Sequence, residues 1–332
     1  VPILTNLLRH ERVGARSGAA LYWSTLGSFL GALTLSMGVM QWLGVGAAVL
    51  VCTGLLLAAV PALGRVAGAR LPSATAALGI AGVALAVNLV LPQQIETAYA
   101  TYRVEAVEIP GYVAPEVFRI NNSPASILDA GEPPRYARYI RRLRGLLLDE
   151  LGFRGRSVLV LGAGGFTLSH REPLNHYVYV DIDPAVKEIA ERDFLREPVR
   201  GEFVAADARA HLRETAARHD AVVVDVYSAL TSIPAHLVTR EFWRATRAVL
   251  KPGGVLAANL ILDRELASPY ARSLLASIQA EYGACAVEVL FRDRPQGNVL
   301  VICTAPSAAR PEPARPYTDE RNRADLDVLR GS

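Results

Sequence analysis

An α/β fold, with a Rossmann-like parallel sheet, a small β-region ahead of it and membrane helices ahead of both, is what the sequence predicts, on three observations. The first is the stretch Ser157 to Asp183. There the apolar run Val158, Leu159, Val160 and Leu161 opens into Gly162, Gly164 and Gly165, and a second apolar run ends in Asp181. The second is the alternation of short apolar strands and helical segments from Ser157 onward, the pattern of a parallel sheet covered on both faces. The third is an absence of charge: no Asp, Glu, Lys, Arg or His occurs from Ser17 to Gly64, and Leu71 to Ile95 is equally uncharged.

A bilayer span needs about 20 apolar residues, so residues 1–95 predict a transmembrane region of about three helices, near 18–40, 44–63 and 73–91. Gly27 and Gly31 form a small-residue pair in the first, a spacing that lets another helix approach. The chain starts at Val1 without a methionine, and the expectation is a region truncated upstream. These features predict a multi-pass protein of the cell membrane with the lipid bilayer as a partner. Arg9, Arg12 and Arg16 before the first span and Arg65 and Arg70 after the second place the segment after the third span outside. A nucleoside ligand argues for the cytoplasm, which is the side expected for the catalytic domain.

Residues 96–150 predict a small β-hairpin and helix domain. Val117 to Ile120 and Ala125 to Leu128 flank the turn formers Asn121, Asn122, Ser123 and Pro124, as in a hairpin. Glu132, Pro133 and Pro134 then introduce a helix over 136–150, with Leu143, Leu146 and Leu147 on its apolar face. Residues 151–305 predict strands at 157–161, 176–181, 202–206, 221–226 and 254–260, with helices near 184–193, 208–217, 239–250 and 269–282. A terminal hairpin, 284–291 and 297–304, closes the sheet as in class I methyltransferase-type folds rather than dehydrogenases. The segment 306–332, rich in Pro, Arg and acid, predicts a mobile tail.

The net charge of +3 comes almost entirely from arginines dispersed among acids, with Lys187 and Lys251 the only lysines, which argues against a nucleic-acid partner. Cys52, Cys285 and Cys303 form no CxxC pair, so neither a metal site nor a disulfide framework is expected.

Ligands of an open parallel sheet bind beyond the carboxyl ends of its strands. Gly162, Gly164 and Gly165 follow the first strand, Asp181, Ile182 and Asp183 the second, Asp207 and Ala208 the third, and Asp225, Val226, Tyr227 and Ser228 the fourth. Asp181 lies nineteen residues after Gly162, where a carboxylate accepts hydrogen bonds from ribose hydroxyls. Asp183 before Pro184 suits a helix cap. Asp207 suits either the amino group of a base or a cap. Asp225 ends a central strand with no helix beginning until Thr239, and a carboxylate there can take a proton from an attacking amine. His236 lies in the same loop.

With these residues in place the chain resembles the spermidine and spermine synthase family, in its membrane-anchored form, over roughly residues 96–304. The resemblance implies a polyamine aminopropyltransferase that moves an aminopropyl group from decarboxylated S-adenosylmethionine to a small-molecule amine such as putrescine. No metal is implied. The family's glycine motif matches residues 161–165, its ribose acid Asp181 with Ile182 and Asp183, its adenine contact Asp207 and Ala208, and its catalytic aspartate Asp225. Tyr227 and Ser228 would stand beside that aspartate. The family's proline loop matches Ile233, Pro234, Ala235 and Leu237, and the tyrosine of its amine-binding segment Tyr136; Tyr102, Tyr136, Pro234 and His236 form the implied substrate-binding set. A homodimer is possible. Two family acids that help bind amine are replaced, by Gly165 and by Ser228. The alternatives are an S-adenosylmethionine-dependent methyltransferase and a membrane module that binds a nucleoside without turnover.

Overall fold

The computed structural model describes residues 13–67, 79, 82–83, 86, 94–129, 131–227, 233–291, 293–304, 317–320, 322, 324–325 and 327. Its contacts divide the chain into Val1–Ala98 and Tyr99–Ser332.

In the first unit, helix α1 (Val13–Leu33) continues in wider turns through Thr34–Met40, and α2 (Gln41–Ala67) follows. Gly18–Met40 spans 23 residues at a mean hydropathy of 1.2. At 1.5 Å per residue that is about 34 Å, enough for a hydrocarbon core of about 30 Å. Leu21, Trp23, Phe29 and Met37 are exposed along it. Thr34 and Ser36 donate their hydroxyls to the carbonyls four residues back, which satisfies both groups inside an apolar helix.

Among the described residues this is the one helix long and apolar enough to cross a membrane. α2 leaves helical geometry at Gly44 (φ 82°, ψ 174°), where a positive φ favours glycine. Its apolar stretch is Gly46–Leu57, about 18 Å long. The third expected span, 73–91, lies almost entirely outside the described residues. A two-residue strand, β1 (Ile95–Glu96), ends the unit.

The second unit begins with a meander of β2 (Thr101–Ala106), β3 (Pro115–Ile120), β4 (Ser123–Asp129) and β5 (Arg135–Tyr136), each antiparallel to the next. Asn121 and Asn122 turn β3 into β4 with φ of 50° and 64°, as two-residue hairpin turns require. α3 (Arg138–Arg144) and the wider turns Gly145–Glu150 then bury Leu143, Leu146 and Leu147. The large sheet follows: β6 (Ser157–Leu161), β7 (His176–Asp181), β8 (Glu202–Ala205), β9 (His219–Val224), β10 (Leu250–Asp263), β11 (Ala286–Val289) and β12 (Gln296–Thr304). Its order is β11-β12-β10-β9-β6-β7-β8. The strands from β8 to β10 are parallel, and β12 and β11 are antiparallel additions. Helices α4 (Val186–Ile189), α5 (Ala208–Glu214), α6 (Arg240–Ala248) and α7 (Pro269–Tyr282) make the crossovers. Chain order reverses between β6 and β9, and that reversal opens the crevice where such sheets bind ligands.

Two expectations change here. Cys285 and Cys303 form a disulfide, with Cα atoms 4.5 Å apart. Ala286 pairs with Ile302 across β11 and β12, so the next cross-strand pair outward is Cys285 with Cys303. Sequence spacing alone carries no such signal. In the segment expected to be mobile, Tyr317 is buried and its amide donates to Ser277 Oγ at 2.8 Å. Asp319 is paired with Arg209, and Asn322 Nδ2 donates to the Ala235 carbonyl. These contacts come from groups distant in sequence, and composition does not reveal them.

Candidate active site

Strand register assembles the site. Leu161 pairs with Val180 on one side and Val224 on the other, so the residues that follow, Gly162, Asp181 and Asp225, stand level at the adjacent ends of β6, β7 and β9. Gly162 has φ 89°, and a Cβ on it would run into the main-chain carbonyl of Asp225; glycine is what lets two strand ends lie this close. Gly164 (φ 50°) and Gly165 continue the turn beside Ser126 of β4, whose Oγ accepts from Gly165 N at 2.9 Å.

Asp181 accepts from Ala163 N at 2.9 Å and Asp183 N at 3.1 Å. Each oxygen keeps a lone pair for a hydroxyl, and burial raises its pKa. Beside it Ile182 is 48 % exposed, an apolar platform of the kind a planar base can cover. Asp183 is a capping and anchoring residue: its Oδ1 accepts from Ala185 N and its Oδ2 from Tyr102 Oη at 2.7 Å. The Tyr102 hydroxyl, expected to touch substrate, is thereby spent on Asp183, and its ring stacks on Phe118, which packs on Phe194. The two roles considered for Asp207 divide between its oxygens. Oδ1 caps α5 through Ala210 N at 2.9 Å, and Oδ2 lies 3.2 Å from His236 Nε2. Burial raises the Asp207 carboxyl, but the Ala210 and His236 hydrogen bonds outweigh it and leave the pKa below the usual range. Ala208 is buried at the start of α5, and Pro234 precedes the short turn Ala235–Leu237 that carries His236. His236 thus sits with the nucleoside-side acid, not with Asp225.

Asp225 accepts from Asn259 Nδ2 at 2.8 Å, and Tyr139, which lines a small cavity with it, donates its hydroxyl to the Ala125 carbonyl at 3.0 Å. Asn259 is itself held by Asn298 Nδ2 at 2.9 Å. Burial among these groups raises the carboxyl to about 6. A base of that pKa accepts protons only when ionised, so kcat/KM is expected to fall tenfold per pH unit below about pH 6. A pH profile at saturating nucleoside checks this, and an acid limb near pH 4 would remove burial as the controlling effect.

Tyr227 donates its hydroxyl to the Asn259 carbonyl at 2.6 Å, which braces the strand end rather than reaching toward an amine. Ser228 lies outside the described residues. The Tyr136 hydroxyl shares a hydrogen bond of 2.9 Å with His170 Nδ1, whose Nε2 meets Glu197 at 3.1 Å. Burial lowers the His170 pKa. The tyrosine that lines the small cavity with Asp225 is Tyr139, three residues after Tyr136. The pair of tyrosines three residues apart, one ending β5 and one starting α3, was the available signal. Asn259 had none, being one polar residue inside an apolar strand.

The comparisons with known proteins can be read against this geometry. No protein-family model matches the chain. It is 31 % identical over 302 residues to a polyamine aminopropyltransferase of Mycobacterium tuberculosis, covering 81 % of this chain and 56 % of the relative. It is 35 % identical over 140 residues to a polyamine aminopropyltransferase of Vibrio vulnificus, covering 40 % of this chain and 46 % of the relative. The chain belongs to the spermidine synthase family. It spans about half the length of the curated relatives it matches. A probable spermidine synthase from Corynebacterium glutamicum shares the fold, with a TM-score of 0.54 at 22 % identity over 64 % of this chain and 80 % of that one.

Proposed function

We propose that this chain is an aminopropyltransferase whose base is Asp225. The observation that supports it most is that carboxylate: enclosed, held by Asn259, raised to about 6, and level with the glycine turn at the sheet's reversal point. Decarboxylated S-adenosylmethionine, the donor implied by the family, fits the residues present. Gly162 to Gly165 leave backbone open to its nucleoside, Asp181 keeps lone pairs for its ribose, Ile182 offers an apolar face, and Asp207 and Ala208 lie at the base end. The donor brings its own leaving group, a sulfonium. Asp225 takes the proton of the attacking amine; the new N–C bond forms as the C–S bond breaks, and methylthioadenosine leaves. The protein's work is orientation and proton removal.

We place the enzyme at a membrane, attached through α1. The Cys285–Cys303 disulfide supports an oxidising compartment for the second unit and weighs against the cytoplasmic side.

Calorimetric titration of the detergent-purified chain with decarboxylated S-adenosylmethionine, S-adenosylmethionine and methylthioadenosine tests the donor. Tighter binding of the decarboxylated form, by about tenfold, is expected. Preference for the intact form would make the protein a methyltransferase, and no binding by any would remove the nucleoside site. Putrescine is the first acceptor to try.

A further inference from the structure

Asp225 is joined through Asn259 to a residue two strands away. Asn259 stands on β10 opposite Leu300 of β12. Asn298 lies two residues before Leu300, so its side chain shares that face of the sheet and meets Asn259 on the diagonal. Asn298 Nδ2 donates to Asn259 Oδ1 at 2.9 Å, and Asn259 Nδ2 donates to Asp225 Oδ1 at 2.8 Å. The bonds run one way, from β12 through β10 to the end of β9.

That direction has a chemical consequence. An amide can turn either its NH2 or its oxygen toward a carboxyl. The NH2 favours the carboxylate, whereas the oxygen favours the protonated acid. Asn298 takes the oxygen of the buried Asn259 and leaves the NH2 for Asp225. Asn298 is itself fixed by backbone: its carbonyl accepts from Leu290 N at 2.9 Å, and it pairs with Ile261 of β10. Just before it, a Cβ on Gly297 would lie 2.7 Å from the buried Phe291 ring, so the entry into β12 is closely packed. A donor on so rigid an element holds its partner in one orientation.

We propose that Asn298 is a positioning residue for the base: by occupying Asn259 Oδ1 it keeps the Asn259 NH2 on Asp225 and the carboxyl ready to accept a proton. Its effect on catalysis rests on the transfer reading above, and its effect on the carboxyl does not. Among the described residues the titratable groups that face Asp225 are Tyr139 of α3 and Tyr227 after β9, and burial raises both hydroxyls further above neutrality. Neither changes charge where Asp225 does.

Asn298→Leu tests this in the full chain in detergent, with decarboxylated S-adenosylmethionine saturating and putrescine varied from pH 5 to pH 8.5. The acid limb of kcat/KM is expected to move up by about one pH unit, so that the variant falls about tenfold below the unsubstituted chain at pH 5 and matches it above pH 8. The ionisation of putrescine is common to both and cancels in the ratio. In an Asn259→Leu background the substitution is expected to move the limb no further. A ratio constant across pH, or an undiminished shift in that background, would overturn the proposal. Thermal unfolding reads the same carboxyl without turnover. A carboxyl raised further loses more stability as pH climbs, so the fall in Tm from pH 4 to pH 8 is expected to be about 2–4 °C larger in Asn298→Leu. In the Asp225→Asn background the substitution is expected to leave that fall unchanged. Asn298→Val, which adds a residue suited to strands, is expected to reproduce both shifts. Equal pH dependence of Tm with and without Asn298 would overturn the proposal, whereas a shifted Tm with no product from any amine would overturn the transfer reading and keep Asn298 as the residue that sets the carboxyl.

Discussion

Asp225→Asn is expected to lower turnover by about 100- to 10 000-fold, the range for loss of a positioned base, with nucleoside affinity changed less than about threefold. The asparagine keeps the shape of the side chain and its acceptor for Asn259 but cannot take a proton. The same substitution is expected to stabilise the fold. Burial holds this carboxyl at about 6 against an ordinary 3.8, a difference of about two pKa units at 1.36 kcal/mol each. The sign follows from the direction: a carboxyl raised in the folded state loses stability as pH climbs from its unfolded value through about 6, so the ionised group opposes folding at neutral pH. Removing the charge returns at most about 3 kcal/mol at pH 7 and only about 0.5 kcal/mol at pH 4. Denaturation of both proteins at the two pH values, beside a single-turnover assay, checks this. A variant that loses nucleoside affinity as severely as turnover would end the assignment of Asp225 as base.

Gly162→Ala is expected to damage both fold and binding. A non-glycine residue in the left-handed region costs about 1–3 kcal/mol, and the φ of 89° is accompanied by main-chain contact with Asp225. An added methyl has to separate the ends of β6 and β9, which moves Asp225 away from the glycine turn. The expected result is a fall in Tm of several degrees together with at least a tenfold loss of nucleoside affinity, read by thermal unfolding and calorimetry. Gly164→Ala is the control. It too has positive φ, but the nearest neighbour of an added Cβ is the Ser126 hydroxyl at 3.2 Å, a side chain that can turn aside. Equal damage from both would show that strain in the turn, rather than the approach of two strands, makes glycine necessary at 162.

Much of this site is legible in sequence because its parts are local. An apolar run, glycines directly after it and an acid at the end of the next run each report on a few consecutive residues, and parallel pairing then brings Gly162, Asp181 and Asp225 level. Tyr136 shows where local reading fails. Two tyrosines three residues apart look equivalent in sequence, but Tyr136 ends β5 and turns to His170 while Tyr139 starts α3 and lines the small cavity with Asp225. Tyr227 and His236 follow Asp225 in sequence, yet one turns to the Asn259 carbonyl and the other to Asp207.

By itself the sequence determined the apolar helix at Gly18–Met40, the α/β alternation and the residues at each strand end, because hydrophobic period, glycine and charge act over one or two turns of chain. Only the tertiary structure decided that Asn259 holds Asp225, that Phe194 and Ser126 close position 165, that Cys285 meets Cys303 and that the Tyr317 carbonyl accepts from Arg240 N. Each of those contacts joins residues from different elements, and its partner is set by strand register and helix rotation, which the whole core fixes together.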